Sequence, residues 1–167
     1  MKVHEYDRIK VVEYAKKWAY SRNPAYYDFS NIGGDCTNFV SQCIFAGANT
    51  MNYAPVKGWY YNSISNRSPA WTGVDFLYNF LIGNNAVNGY IGNGHGPFAE
   101  LVPLNLLTLG DVVQLSRNND FFHTAIVVGF NNGSPLVSSH SRNTYGVPLS
   151  YFSFDNLRYL HIIGVRK

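Results

Sequence analysis

"GGDCTNFVSQ", from Gly33 to Gln42, holds Cys36, one of only two cysteines among 167 residues. Cys36 has four conceivable roles: nucleophile, metal ligand, half of a disulfide, or small core residue. The local structure of the stretch decides among them. Phe39, Val40, Cys43 and Ile44 recur at helical spacing, which predicts a helix from Cys36 to about Ala48. Asp35 is a favoured N-cap type, and Gly33 and Gly34 let the chain turn sharply into the helix. Seven helical residues span roughly 10 Å, whereas bonded cysteines need Cα atoms within about 7 Å, so a Cys36–Cys43 disulfide is excluded. A structural zinc site fails likewise, because its ligands must converge and the sequence has no second close pair of Cys or His. Burial as a small hydrophobe suits Cys43, two turns inside the helix. Cys36 stands at the helix mouth instead.

That position has chemical consequences. The partial positive charge of a helix N-terminus stabilises a thiolate, and its free N–H groups can face a developing oxyanion. An ionised Asp35 next door would raise the thiol pKa unless its carboxylate is turned away and taken up in capping. A nucleophilic cysteine also needs a base. Of the five histidines, His4 lies at a terminus, His95 in a glycine-rich loop and His161 within an apolar strand. His123 opens a strand that is apolar on both faces, with Ala125 and Val127 on one side and Ile126 and Val128 on the other. That pattern marks a central strand. The Asn132-Gly133 pair supplies the positive φ angles of a tight hairpin. Folded symmetrically, this hairpin sets His123 near Arg142, with His140 and Asn143 in diagonal reach to orient the imidazole. Ser139 and Ser141 are weaker options.

The remainder of the chain frames this pair. A hydrophobic fraction of 46% and a charged fraction of 14% describe one globular domain, residues 1–167. The net charge of +3 is carried without a Lys/Arg cluster, which argues against nucleic acid as partner. No apolar run is long enough for membrane insertion, and the first ten residues lack the apolar core of a secretory signal. Helices are predicted over Glu5–Arg22, through Ile9, Val12, Ala15, Trp18 and Ala19, and over Val74–Ile82. Gly83–Pro103 reads as a long loop, and its "GNGHG" lacks the flanking strand and helix of a phosphate cradle. Strands are predicted at 111–116, 122–130, 136–141 and 159–165. Helices first and an antiparallel sheet second make an α+β domain. Between them, 49–72 is an irregular aromatic excursion. Its Trp59, Tyr60 and Trp71 either wall a substrate groove or cover the core.

Taken together, "DCTNFVSQCIFAGA", "SPAW", "LTLGDVVQL", "HTAIVVGF" and "PLVSSHS" resemble the bacterial putative amidase domain family, grouped with papain-like NlpC-type peptidases and CHAP amidases of the cell wall. The likeness runs from about Tyr6 to His161. It implies a papain-like fold with Cys36 as nucleophile, His123 as its partner and His140 as the polar third residue, Asn143 being the alternative. It also implies a tyrosine upstream of the cysteine near the oxyanion, Tyr26 or Tyr27, beside the Asp35 cap. The implied activity is hydrolysis of peptide or amide bonds in peptidoglycan through a thiolate–imidazolium pair, with no cofactor and no metal. An exported, envelope-facing location follows from that substrate, and a cytoplasmic one stays open. The alternatives are acyl transfer on the same chemistry and a non-catalytic wall-binding module. Oligomeric state leaves no trace in the sequence.

Overall fold

The computed structural model describes residues 1–85, 90–91 and 94–167. In chain order the elements are β1 (Val3–His4), α1 (Arg8–Trp18), α2 (Cys36–Ala48), a hairpin of β2 (Tyr61–Ser63) and β3 (Asn66–Arg67), α3 (Pro69–Thr72) and α4 (Val74–Ile82). Two short segments, β4 (Asn84–Asn85) and β5 (Tyr90–Ile91), precede β6 (Gly96–Leu101). The sheet-forming half holds β7 (Val112–Arg117), β8 (Asp120–Asn131), β9 (Ser134–Ser139), β10 (Thr144–Pro148) and β11 (Asn156–Arg166). Helices lead and an antiparallel sheet follows, so the domain is α+β. The sheet runs β1-β11-β7-β8-β9-β10, with β6 also pairing β11.

The two faces of the sheet do different things. Val112, Ile126, Leu160 and Ile162 pack under the helices with Val11, Ala15, Phe39, Val40, Cys43 and Ile44. Val113, Leu115, Ala125, Val127 and Val137 form a second cluster with Leu107 and Phe152. This is the two-sided burial that the unbroken apolar run in β8 predicts.

The predicted bounds of α2 and α4 coincide with the structure. The first helix is shorter than predicted: it ends at Trp18, buries Val11 and Ala15, and leaves Ile9 exposed. The 83–103 segment is not all loop, because Gly96–Leu101 forms β6 against β11. Its residues 86–89 and 92–93, and with them part of "GNGHG", lie outside the described residues.

α2 is buried nearly all round, and each polar side chain of its first two turns has a partner. Thr37 Oγ1 lies 2.9 Å from Thr124 Oγ1 of β8. Asn38 accepts from Trp71 Nε1, Ser41 accepts from Trp59 Nε1, and Gln42 accepts from Tyr14 OH. These bonds let a helix with polar residues on its far side sit inside the protein, because buried polar groups are tolerated when paired. They also correct the groove expectation. Trp59 and Trp71 are fully buried and pack on each other with tilted rings, centroids 4.9 Å apart, and Tyr60 packs on Tyr53. Trp59 and Trp71 therefore roof α2 rather than wall a groove.

The Leu-x-x-Gly-Asp element has an equally structural job. Asp111 is fully buried and accepts from Arg8 Nη1 at 2.7 Å, Thr108 N, Ile162 N and His161 Nδ1. One carboxylate therefore ties α1 to β7 and β11. Its loss strands a guanidinium and buried N–H groups without an acceptor, so Asp111→Ala should cost about 3–5 kcal/mol of stability in urea unfolding. A change below about 1 kcal/mol would contradict this account of the motif.

Candidate active site

Cys36 is the first residue of α2, and Asp35 occupies the N-cap position. The approach needs glycine: Gly33 has φ +80° and Gly34 φ +102°, and a Cβ on Gly34 would meet Ser141 Oγ at 3.4 Å. The expected capping by Asp35 does not occur, since its side chain makes no cap hydrogen bond. The carboxylate is turned away from the helix axis. Oδ1 accepts from Phe29 N (2.8 Å) and Asn38 Nδ2 (2.8 Å), and Oδ2 accepts from His140 Nδ1 at 2.6 Å. Arg22 Nε lies 3.6 Å from the same Oδ2. The first-turn N–H groups of α2 are thus left without a side-chain cap, at the point where Cys36 sits.

Cys36 and His123 line one cleft of about 290 Å³, together with Gly33, Gly34, Arg117, Phe122, Ser141, Arg142, Phe152 and Ser153. His123 stands on β8 opposite Leu115 of β7, on the face of the second apolar cluster, with its ring 5.1 Å from that of Phe152. Its Nε2 is buried and has no hydrogen-bond partner among the described residues.

His140 does not orient His123. Its Nδ1 bonds Asp35, its Nε2 lies 2.8 Å from Trp18 O and 3.2 Å from Arg22 Nη1, and its ring stacks on Phe39 at 3.9 Å. The cause is a single bulge. The hairpin keeps the symmetric register from Asn131↔Ser134 to Gly129↔Leu136, then shifts, so that Val127 pairs Val137 and Ile126 pairs Ser138. Continued down the strands, this register sets His140 beside Thr124 rather than diagonal to His123. A slip of one residue moves a side chain to the opposite face of the sheet. His140 therefore faces α2, where Asp35 meets it. Asn143 is also engaged elsewhere, accepting from Arg22 Nη2. Tyr27 does not line the cleft: its N donates to Tyr61 OH, its O accepts from Asn38, and its ring lies edge-on to Phe29. Tyr26 stacks on Trp71.

Arg117, which the sequence does not single out, enters the site together with Arg142, expected only as the register neighbour of His123, and Ser141, expected only as a weaker orienting group. Ser141, at φ +74°, accepts from Asp35 N at 2.9 Å and so holds the turn before Cys36. Arg117 and Arg142 line the cleft from the ends of β7 and of the β9–β10 turn. A strained non-glycine residue beside a nucleophile candidate is a recognisable signal in a structure but has no sequence signature.

Residues 5–163 match the family described as "Putative amidase domain". The chain belongs to this family. It is also 35% identical over 157 residues to the Bacillus subtilis (strain 168) protein named "Uncharacterized protein YhbB", a match that covers 91% of this chain and 46% of that protein. The chain thus spans about half the length of that relative. No solved structure matches it.

In this amidase-family domain the charge state of the pair follows from burial. Burial pushes the Cys36 thiol up, against hydrogen bonding from the Thr124 backbone and from Thr37, while the Asp35 charge adds a smaller upward push. Burial first, and then Arg117 and Arg142 by repelling a proton on the ring, together lower His123 to about 4. Both effects favour a neutral thiol beside a neutral imidazole. Burial thus works against the thiolate–imidazolium pair that the family resemblance implies.

His123 therefore binds fewer protons folded than unfolded between about pH 6.5 and 4, and its contribution to stability is lost as pH falls through that window. Its ring resonances should stay at their neutral positions from pH 8 down to about 5.5 in an NMR titration, and His123→Asn should flatten the loss of stability on acidification. A midpoint near 6.5 would contradict the buried, cation-flanked environment.

Proposed function

We propose that this domain is a cysteine-dependent amide hydrolase of papain-like fold that cleaves peptide or amide bonds of bacterial peptidoglycan. The observation that carries the proposal is that Cys36, at the uncapped start of a buried helix, and His123, with an unpartnered ring nitrogen, line one cleft. Family membership supports amide hydrolysis as the reaction class. The cysteine chemistry and the wall substrate are the proposal's own additions.

The steps follow from what each group can do. As Cys36 Sγ attacks the carbonyl carbon, its proton passes to His123, which is available as a base because it is neutral. The sulfur–carbon bond forms while the carbonyl oxygen takes the electron pair. The first-turn N–H groups of α2 receive that oxyanion, aided by the helix dipole. His123 returns its proton to the departing amine, and the carbon–nitrogen bond breaks. Water, deprotonated by His123, then hydrolyses the thioester, giving the carboxylic acid and the free thiol. The Asp35–His140 contact has a positioning role: it turns the carboxylate away from the thiol and pins the helix start. A wall substrate would require an exported, envelope-facing location.

Incubation with purified peptidoglycan should release new free amino groups. Cys36→Ala and His123→Ala should each lower that release by more than about 10³-fold while retaining the native circular dichroism spectrum. Undiminished release by Cys36→Ala would refute the nucleophile, and absence of release by the unsubstituted protein would refute the wall substrate.

A further inference from the structure

The cleft beside Cys36 carries two cations that catalysis as described does not use. Arg117 closes β7 and Arg142 lies in the turn after β9, so they come from separate elements, and both are exposed at the cleft lining. Among the described residues neither guanidinium forms an ion pair. Asp120 is the register partner of Arg117 yet forms no ion pair with it, and Asp155 accepts from Asn118 N. Arg117 Nε donates to Ser153 O, and its guanidinium lies over the Phe122 ring at 4.2 Å. Arg142 lies over the Tyr151 ring at 4.8 Å. The Arg117 head group is thus steadied by an aromatic face and a backbone carbonyl and the Arg142 head group by an aromatic face, and both residues line the cleft. Two positive charges that flank a cleft and are held without anions create a site for an anion.

We infer that Arg117 and Arg142 form a carboxylate-binding subsite beside Cys36, which selects peptide substrates carrying a free carboxylate next to the scissile amide. The inference rests on Cys36 being the nucleophile of the same cleft. A guanidinium presents its donors as a planar fork that matches a carboxylate, and the apolar lining of Phe122 and Phe152 suits the hydrocarbon that bears it. Binding would also act on the base. The two arginines disfavour a proton on His123, and a carboxylate between them offsets their charge. Proton transfer from Cys36 to His123 would therefore become easier when the correct substrate is bound. Selectivity and activation would then share one contact, so an uncharged substrate would lose rate as well as affinity.

The matched reagents iodoacetate and iodoacetamide test this without knowledge of the natural substrate. Both alkylate a thiolate with loss of iodide, are of similar size, and differ in bearing a carboxylate or a neutral amide. Peptide mapping reads Cys36 separately from Cys43, which is fully buried. The ratio of the iodoacetate to the iodoacetamide rate at Cys36 should exceed that for free cysteine at the same pH. It should drop at least about fivefold in Arg117→Gln/Arg142→Gln, fall with added salt, and recover in large part in Arg117→Lys/Arg142→Lys. A ratio no higher than that of free cysteine, or one unmoved by the double glutamine variant, would overturn the carboxylate subsite while leaving the nucleophile intact. Failure of Cys36 to react with either reagent would remove the nucleophile, and this inference with it.

Discussion

The contact between Asp35 Oδ2 and His140 Nδ1, 2.6 Å long and fully buried, fixes the geometry on which the site depends. It joins the residue before α2 to the residue after β9, across 105 positions of chain. An aspartate beside a cysteine at a helix start would ordinarily cap the helix or repel the thiolate. Here the imidazole, with Asn38 and the Phe29 amide, draws the carboxylate to the far side. The amides of the first turn are left to the cleft, and Cys36 takes its place at the end of an element that cannot shift. A low-dielectric setting strengthens such a network when every member is satisfied. Thr37–Thr124 and Asp35 N–Ser141 bind the same turn to the sheet from two further directions.

Much of this was legible in the sequence, in proportion to how local the cause was. The bounds of α2 and α4 follow from apolar spacing and from the residues before them, which are local quantities. The Asn132-Gly133 turn has φ angles of 49° and 80°, as its residue types require. Cys36 and His123 were both visible as a helix-mouth thiol and a polar residue heading an apolar strand, and the fold brings them to one cleft. The bulge near Val128 was not visible, because nothing in "HTAIVVGF" marks where an extra residue leaves the ladder. That one residue transfers His140 to the helix face and turns an expected catalytic partner into a positioning residue. Trp59 and Trp71 were ambiguous for a related reason. Whether an aromatic cluster roofs a helix or lines a groove depends on the polar partners Ser41 and Asn38, which lie far off in sequence. Arg117 gave no signal, and Arg142 was placed near His123 by the hairpin register without a role, since isolated arginines at strand ends are ordinary surface residues until the fold sets them on the same cleft.

The electrostatics of the cleft give the account its chemical character. Burial and two cations keep His123 neutral, and burial, with a smaller push from Asp35, keeps Cys36 a thiol. A neutral resting pair leaves the proton transfer from thiol to imidazole to the moment of attack. Activation is then deferred to substrate binding.

The central claim is that acyl transfer passes through Cys36, and trapping the intermediate tests it most directly. Acid quenching during turnover of peptidoglycan fragments, followed by mass spectrometry of proteolytic peptides, should find an acyl adduct on the peptide containing Cys36. The adduct should be released by hydroxylamine, as a thioester is. Continued turnover with Cys36 unmodified at every quench time, or an adduct confined to another residue, would contradict the account.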